Sequence, residues 1–462
     1  MRKSVLFLSL LVALSLVLAA CGPTPAAPTE VPPPTVTWYD DVIPDYSPTP
    51  AAPTETPPAP PEEQRVFKMW HYEVGYAMGD SWADALEDFQ AMHPEVEVLF
   101  EEKTFEQIME TAQMILSSED VPDVMEYNKG NATTGLLSSQ GLLTDLTEVA
   151  EERGWDKILS PSVQTTCRYD ESGIMGSGRL YGITTYGEFV MVYYNKDMFA
   201  EYGVEVPTSL EEFEAVADKF VAEGIVPLTL GALDMWPQTH NWQELVLYEA
   251  DRDHITNFQL LQGEVDFHGP AFTFGAEKFA EHVQKGYYGP NANAVSYEDA
   301  NAAFIQGQVP MNLTGSWAFG MMMDQITDFD WGMFLMPGKK FNTGSGGNVW
   351  VVPQNAKNKD LAYDFIGLTL EKKAQTVMAT AGGIPVNADL SQIEDPKVRD
   401  LNTLFASIVE SDGLAFYPDW PVPGYLDVLG ACLQELIGGT KTPTEFNDCI
   451  AGPYNDYKSS LE

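Results

Sequence analysis

Basic residues are scarce in this chain of 462 residues: 25 Lys and Arg stand against 68 Asp and Glu, for a formal net charge of −43. Such a field repels phosphate backbones and anionic membrane surfaces, so nucleic acid and lipid headgroups are poor partners for it. It favours cationic ligands, and it equally suits a solvated surface in an acidic or salty habitat. Only six histidines occur, scattered, and no CxxC or Cys/His spacing marks a zinc site; neither a metal nor a cofactor is expected. The nucleophile elbow GxSxG is absent, as are SxxK, HExxH and an EF-hand loop, which removes the common signatures of serine hydrolases and metalloproteases. A glycosidase needs only two carboxylates at the right separation, and 68 acidic residues leave that reading open. Beyond the N-terminus no second hydrophobic span occurs, so nothing else in the chain is expected to enter a bilayer.

The N-terminus carries an export signal. Arg2 and Lys3 are followed by an apolar run from Val5 to Leu18 and by the small-residue sequence Leu18-Ala19-Ala20-Cys21. The run is about 14 residues long, short of the roughly 20 that span a hydrocarbon core. The cysteine at the cut point resembles a bacterial lipobox, which implies a signal peptide over 1–20, lipid on Cys21 and a protein tethered to the outer face of the cell membrane. Cleavage removes two positive charges and leaves the mature chain more acidic still. Residues 22–64 then hold 14 prolines, with the block Pro25-Ala26-Ala27-Pro28-Thr29-Glu30 echoed by Pro50-Ala51-Ala52-Pro53-Thr54-Glu55. Proline removes backbone donors and favours extended polyproline II, so 21–64 reads as a spacer between lipid and domain. Trp38-Tyr39-Asp40-Asp41 within it has no evident role.

About 400 residues remain, enough for two lobes. Val66–His71 reads as a strand, followed by a helix capped at Asp80 or Ser81 that buries Trp82, Ala85, Leu86, Phe89 and Met92 and ends at Pro94. Val96–Phe100 is a second predicted strand, Thr104 to Gln107 a capping box opening a helix, and Asp123–Tyr127 a third strand. This β-α-β-α-β order predicts a parallel sheet with ligands gathering at its C-terminal strand ends. Tyr181–Tyr194 reads as extended, Thr208 to Glu211 as the capping box of a helix stopped by Gly224, and Ile225–Leu230 as a strand. The remainder reads as mostly helical, broken by a β-like Val349–Val352. Of the three cysteines beyond Cys21, Cys432 and Cys449 lie 17 positions apart and form the preferred disulfide, leaving Cys167 free and buried.

Several segments resemble bacterial extracellular solute-binding proteins, the sugar-binding components of ABC importers. These are Tyr181-Gly182-Ile183 with Tyr193-Tyr194-Asn195-Lys196-Asp197-Met198-Phe199; Pro122-Asp123-Val124 with Gly141-Leu142-Leu143; Ala303 to Met311 leading to Gly315-Ser316-Trp317; and Asn348 to Pro353 with Gly383-Ile384-Pro385-Val386. They run in the family's order over nearly all of 66–390. Ser209 stands where the family often has Trp, Ile183-Thr184 lacks its usual proline, and the chain beyond 390 carries no match. The resemblance implies an α/β, periplasmic-binding-protein-like fold of type II, with two α/β lobes joined by crossing hinge strands and a ligand cleft between them. By that analogy lobe one is 66–185 with 345–385, lobe two is 188–340 with 388–462, and the crossings fall near 183–192, 338–347 and 384–390. The implied function is capture of a sugar or oligosaccharide by a non-enzymatic monomer and its delivery to ABC permease subunits.

A sugar presents hydroxyls for paired hydrogen bonds and a C–H face for stacking, so its site needs carboxylates or amides beside flat rings. Loops carrying that mixture hold the candidate ligand-binding residues: Trp70, His71, Tyr72 and Glu73; Glu126 and Asn128; Tyr186 and Glu188; Trp236 and His240; Trp317; Asn348; and Trp420. Trp242, Tyr127 and Trp350 are balanced between core and cleft, and Gly344-Ser345-Gly346-Gly347 is assigned to a hinge crossing. The alternatives are a binder of another polar or cationic solute, an exported carbohydrate-active hydrolase, and an adhesin without a permease.

Overall fold

A computed structural model describes residues 64–461. The signal peptide, Cys21 and the proline-rich segment with its echoed blocks lie outside the described residues. The described part forms two main sheets, each wrapped by helices, and a two-stranded antiparallel ribbon of Arg168–Tyr169 with Arg179–Leu180.

The first sheet is built from β1 (Val66–His71), β2 (Glu97–Glu102) and β3 (Val124–Tyr127), linked by helices α1 (Tyr76–Met92) and α2 (Phe105–Leu116). The strands are parallel in the order β2-β1-β3, the arrangement that helical crossovers impose. Thr104 caps α2 reciprocally with Gln107. Helix α1 starts at Tyr76, four residues before the expected cap at Asp80. Ser81 is no cap; its buried hydroxyl donates to the carbonyl of Ala374 at 2.9 Å. The core here gathers Phe67, Met69, Trp82, Phe89, Trp350 and Phe365.

Two short strands of later chain complete this sheet: β4 (Ile183–Thr184) at the edge and an antiparallel strand, Val349–Val351, between it and β3. Immediately after β4 the chain leaves for the second sheet as β5 (Gly187–Asn195), a long and almost wholly buried strand. Helix α3 (Leu210–Ala222) and strand β6 (Leu228–Thr229) follow. Ser209, one residue later than expected, caps α3, while the Glu212 carboxylate accepts from the Thr208 backbone N–H at 2.7 Å. The remaining strands of the second sheet are β7 (Met311–Gly315), β8 (Trp331–Phe334), β9 (Asn342–Gly346) and β11 (Leu414–Ala415), with Val349–Val351 numbered β10 between them in the chain. The main path runs β11-β9-β5-β7-β6, and β8 pairs with β5. Most of these strands fall where the sequence reads as helical, because they are short and carry Gly, Asn and Thr rather than an apolar alternation.

Gly344, Ser345 and Gly346 pair with Phe189, Glu188 and Gly187, so residues 345 and 346 belong to the second sheet rather than to lobe one. The return passage is confined to Gly347 and Asn348. A Cβ on Gly347 would stand 2.2 Å from the Tyr186 ring, so only glycine lets the two crossings lie side by side. Helix α4 (Lys359–Thr369) and helix α5 (Lys372–Thr380) pack on α1, and the chain then passes a bridge between Tyr186 and Pro385 to helix α6 (Pro396–Glu410) against β5. Buried Gln375 ties these passages together: its amide donates to Thr185 O and Thr369 O, both at 2.9 Å, and accepts from the N–H groups of Val386 and Asn387. Cys432 and Cys449 are disulfide-bonded between two C-terminal helices, Tyr425–Ile437 and Pro443–Ser460, and Cys167 is buried and free.

Candidate ligand-binding cleft

The C-terminal ends of β1, β2 and β3 open on a cleft of about 400 Å³. Tyr72, Glu73 and Phe105 line it from the first sheet with Asn128 and Lys129, Tyr186 and Asn348 line it from the crossings, and Glu188, Trp236, His240, Tyr297, Trp317, Tyr417, Asp419 and Trp420 line it from the second sheet's side.

The second wall is a continuous aromatic arc. Trp236 lies 4.6 Å from Tyr297 and 5.8 Å from Trp317 between ring centroids; His240 lies 5.7 Å from Trp317 and 4.9 Å from Tyr417; Tyr417 lies 4.9 Å from Trp420. Trp236 and Trp317 are half-buried, with faces available to a ligand, whereas Trp420 is almost fully covered. Burial, with the Lys129 charge as a smaller contribution, pushes the His240 ring down to about 3, so it stands neutral in this wall.

At the floor, the Lys129 ammonium lies 2.6 Å from the Glu188 carboxylate and 2.8 Å from the side-chain oxygen of Asn348. It also faces the rings of Trp420 and Tyr417 at 5.2 and 5.6 Å. Lys129 and Glu188 are 2% and 5% exposed. Burial lowers the lysine from its ordinary value, and Glu188 opposes that shift. The segment after Lys129 is docked beneath Trp420: a Cβ on Gly130 would stand 2.6 Å from that indole, and Ala132 N–H donates to Trp420 O at 2.9 Å. Asn348 donates to the Tyr72 hydroxyl, and its backbone N–H donates to the Tyr186 hydroxyl at 3.1 Å.

Carboxylates outnumber cations here. Glu73 is pushed up to about 7, by burial first and then by Glu188, with Lys129 acting the other way. Burial pushes Asp419 up to about 6.

Ten of the thirteen candidate residues line this cleft: Tyr72, Glu73, Asn128, Tyr186, Glu188, Trp236, His240, Trp317, Asn348 and Trp420. Three do not. His71 shares the inward face of β1 with Phe67 and Met69, as the two-residue alternation of a strand dictates. It stacks on Phe100 at 4.3 Å and abuts Trp82, and burial pushes it down to about 4. Trp70 points to the opposite face of β1 and lies under the Lys103 ammonium at 4.8 Å. Glu126 lies wholly buried in β3, where its carboxylate accepts from the Tyr72 backbone N–H at 3.3 Å; it positions the Tyr72 loop from behind. Trp350, Trp242 and Tyr127 belong to the cores. Lys129, the cation of the floor, was not among the candidates, although a lysine directly after Asn128 in so acidic a chain is itself a signal. Tyr297 lies in a helix whose sequence offers no such signal.

A family model of bacterial extracellular solute-binding proteins matches residues 77–376, and the chain belongs to that family. It is 26% identical over 403 residues to a diacetylchitobiose-binding protein of Streptomyces coelicolor, covering 80% of this chain and 87% of that one. It is also 26% identical over 205 residues to an ABC transporter extracellular-binding protein of Pyrococcus horikoshii, where the match covers 43% of this chain and about half, 45%, of the relative. Among solved structures, a chitin oligosaccharide-binding protein superposes with a TM-score of 0.72 at 22% identity, covering 86% of this chain and all of that one. The fold is thus that of the type II periplasmic binding proteins, and the family to which the chain belongs is one of extracellular solute-binding proteins.

Proposed function

We propose that this protein captures a sugar or oligosaccharide between its two lobes and presents it to the permease subunits of an ABC importer. The observation that carries the reading is the half-buried aromatic arc of Trp236, Trp317 and Tyr297 facing Glu73 and Asn128 across one cleft. Rings accept the C–H face of a pyranose while carboxylates and amides bind its hydroxyls in pairs. The names of the relatives, one binding diacetylchitobiose and one a chitin oligosaccharide, support the same class of ligand.

In mechanism, residues 66–185 with 347–385 form one lobe and 187–346 with 388–462 the other. Hinge motion at 185–186, 347–348 and 381–387 closes them on the ligand. The protein acts as a monomer and without turnover. Lipid on Cys21 holds it at the outer face of the membrane. Among the described residues no helix is long and apolar enough to cross a membrane.

A thermal-shift screen of the purified protein, refolded once to strip bound ligand, tests this reading against sugars, oligosaccharides, polyamines and amino acids. A ligand at about a thousand times its Kd adds roughly 4 kcal/mol of stability. A saccharide that raises the melting temperature supports the proposal. Shifts from other solutes alone overturn the sugar assignment, and steady release of hydrolysis products would overturn binding without turnover.

A further inference from the structure

We infer that the saccharide taken by this cleft carries a protonated amine, which pairs with the carboxylate of Glu73. The inference rests on the saccharide reading above and narrows it to amino sugars with free amines.

The charges of the cleft lead there. Two cations line it, and both have partners: Lys129 with Glu188 and Asn348, and Lys103 with Glu101. An anionic saccharide such as a uronate or a sugar phosphate finds no free cation among the described residues, and no arginine lines the cleft. The acids are not matched in the same way. Glu73 lines the cleft half-buried and accepts no hydrogen bond from the described residues. Asp419, only 9% exposed, meets its own backbone N–H alone. His240, 5% exposed, lines the same space, and its Nδ1 atom has no partner among the described residues. Buried polar groups are nearly always satisfied, so these atoms mark a place where a ligand completes the hydrogen bonding.

The missing group is a donor with positive charge. Glu73 lies in the field of Glu126 on β3 and Glu188 on β5; Lys129 alone offsets them, and Glu188 already neutralises it. A second unpaired carboxylate, Asp419, faces the cleft from the other lobe, which suits an oligosaccharide with amines on more than one ring. An ammonium bound to a carboxylate in a partly dry site makes a charge-assisted hydrogen bond, about twice as strong as a neutral one. The rings of Tyr72 and Trp236 lining the same space offer faces to the cation.

Isothermal titration calorimetry with the full chain tests this, using a β-1,4-linked glucosamine tetrasaccharide, its fully N-acetylated form, cellotetraose and spermine. The amine tetrasaccharide is expected to bind at least tenfold more tightly than both uncharged tetrasaccharides, and to weaken several-fold as salt rises from about 0.05 to about 0.5 M. Glu73→Gln, and separately Asp419→Asn, each checked for an unchanged fold by circular dichroism, should bring the ratio of charged to neutral affinities toward one. Equal or tighter binding of cellotetraose or the acetylated form overturns this inference and leaves the sugar reading standing. Binding of spermine with no saccharide, or of nothing, overturns both.

Discussion

The ammonium of Lys129 and the carboxylate of Glu188 meet at 2.6 Å although they come from different sheets, Lys129 from the loop after β3 and Glu188 from β5. The pair is almost fully buried and lies at the floor of the cleft, where the two lobes touch. Opening the lobes must either carry the pair with one side or pull it apart.

Removing one partner leaves a buried charge without compensation, which costs about 3–5 kcal/mol. Lys129→Met and Glu188→Gln are each expected to lose stability of that order in urea unfolding. The double substitution should lose less than the sum, since it strands no charge. A double mutant as damaged as the sum of the singles would show that the pair is not coupled.

Trp236 and Trp317 present faces to the cleft, while Trp350 is packed between Trp82, His71 and Phe365. Trp236→Ala and Trp317→Ala should each abolish or sharply weaken saccharide binding with a small change in melting temperature. Trp350→Ala should instead destabilise the fold by about 3–5 kcal/mol. Ligand-induced changes in tryptophan fluorescence separate the two classes.

Two carboxyl groups should respond to pH with opposite signs. Glu73, at about 7 in the folded state against about 4.3 unfolded, contributes stability that is full below pH 4.3 and lost as pH rises through 7. Glu73→Gln should therefore be more stable than the wild type at pH 8, with the gain shrinking toward pH 4.5. Glu214 is held down to about 2, chiefly by its hydrogen bond with His282 at 3.0 Å. It contributes stability present above pH 4.3 and lost as pH falls through 2. Glu214→Gln should be less stable at pH 7, with the deficit closing below pH 4. The buried rings of His71, His240 and His254, all shifted down, destabilise the fold on acidification below 6.5. Differences in melting temperature between variant and wild type therefore carry the test.

Gln375 satisfies four backbone groups belonging to the crossings and the end of α4. Gln375→Leu keeps the volume and strands them. A loss of several kcal/mol is expected, at about 1–3 kcal/mol for each group left unpaired in the interior. Thermal unfolding reads it, and a loss below about 1 kcal/mol would mean water replaces the amide.

The disulfide between Cys432 and Cys449 closes a loop of 17 positions. In the chain-entropy account such a loop is worth about 3 kcal/mol. Reduction, or the double change Cys432→Ala with Cys449→Ala, should lower the unfolding free energy by that order while leaving ligand binding in place.

Much of the first sheet was legible in the residues alone. Val66–His71 alternates, Thr104 and Gln107 form a reciprocal cap, and Pro94 and Pro122 punctuate the elements, so local physics and tertiary structure agree there. The second sheet was largely hidden. Met311–Gly315 and Asn342–Gly346 are buried strands made of Met, Leu, Asn, Thr, Gly and Ser, whose extended form comes from pairing with β5 and not from their own preferences. Errors at the site have the same origin. Trp70, His71 and Glu126 have the chemistry of ligand-binding residues, but strand alternation and burial direct them elsewhere. Lys129 has no motif around it and becomes a site residue only when β5 brings Glu188 across.

By itself the sequence determined the acidic field, the alternation that builds the first sheet and the ordered segments shared with solute-binding proteins. These are properties of composition, period and local capping, which need no partner in space. Tertiary structure alone decided which rings form the arc, which carboxylates stay unpaired and which cation lies on the floor. Those depend on residues tens to hundreds of positions apart meeting across two sheets, and no local preference encodes such a meeting.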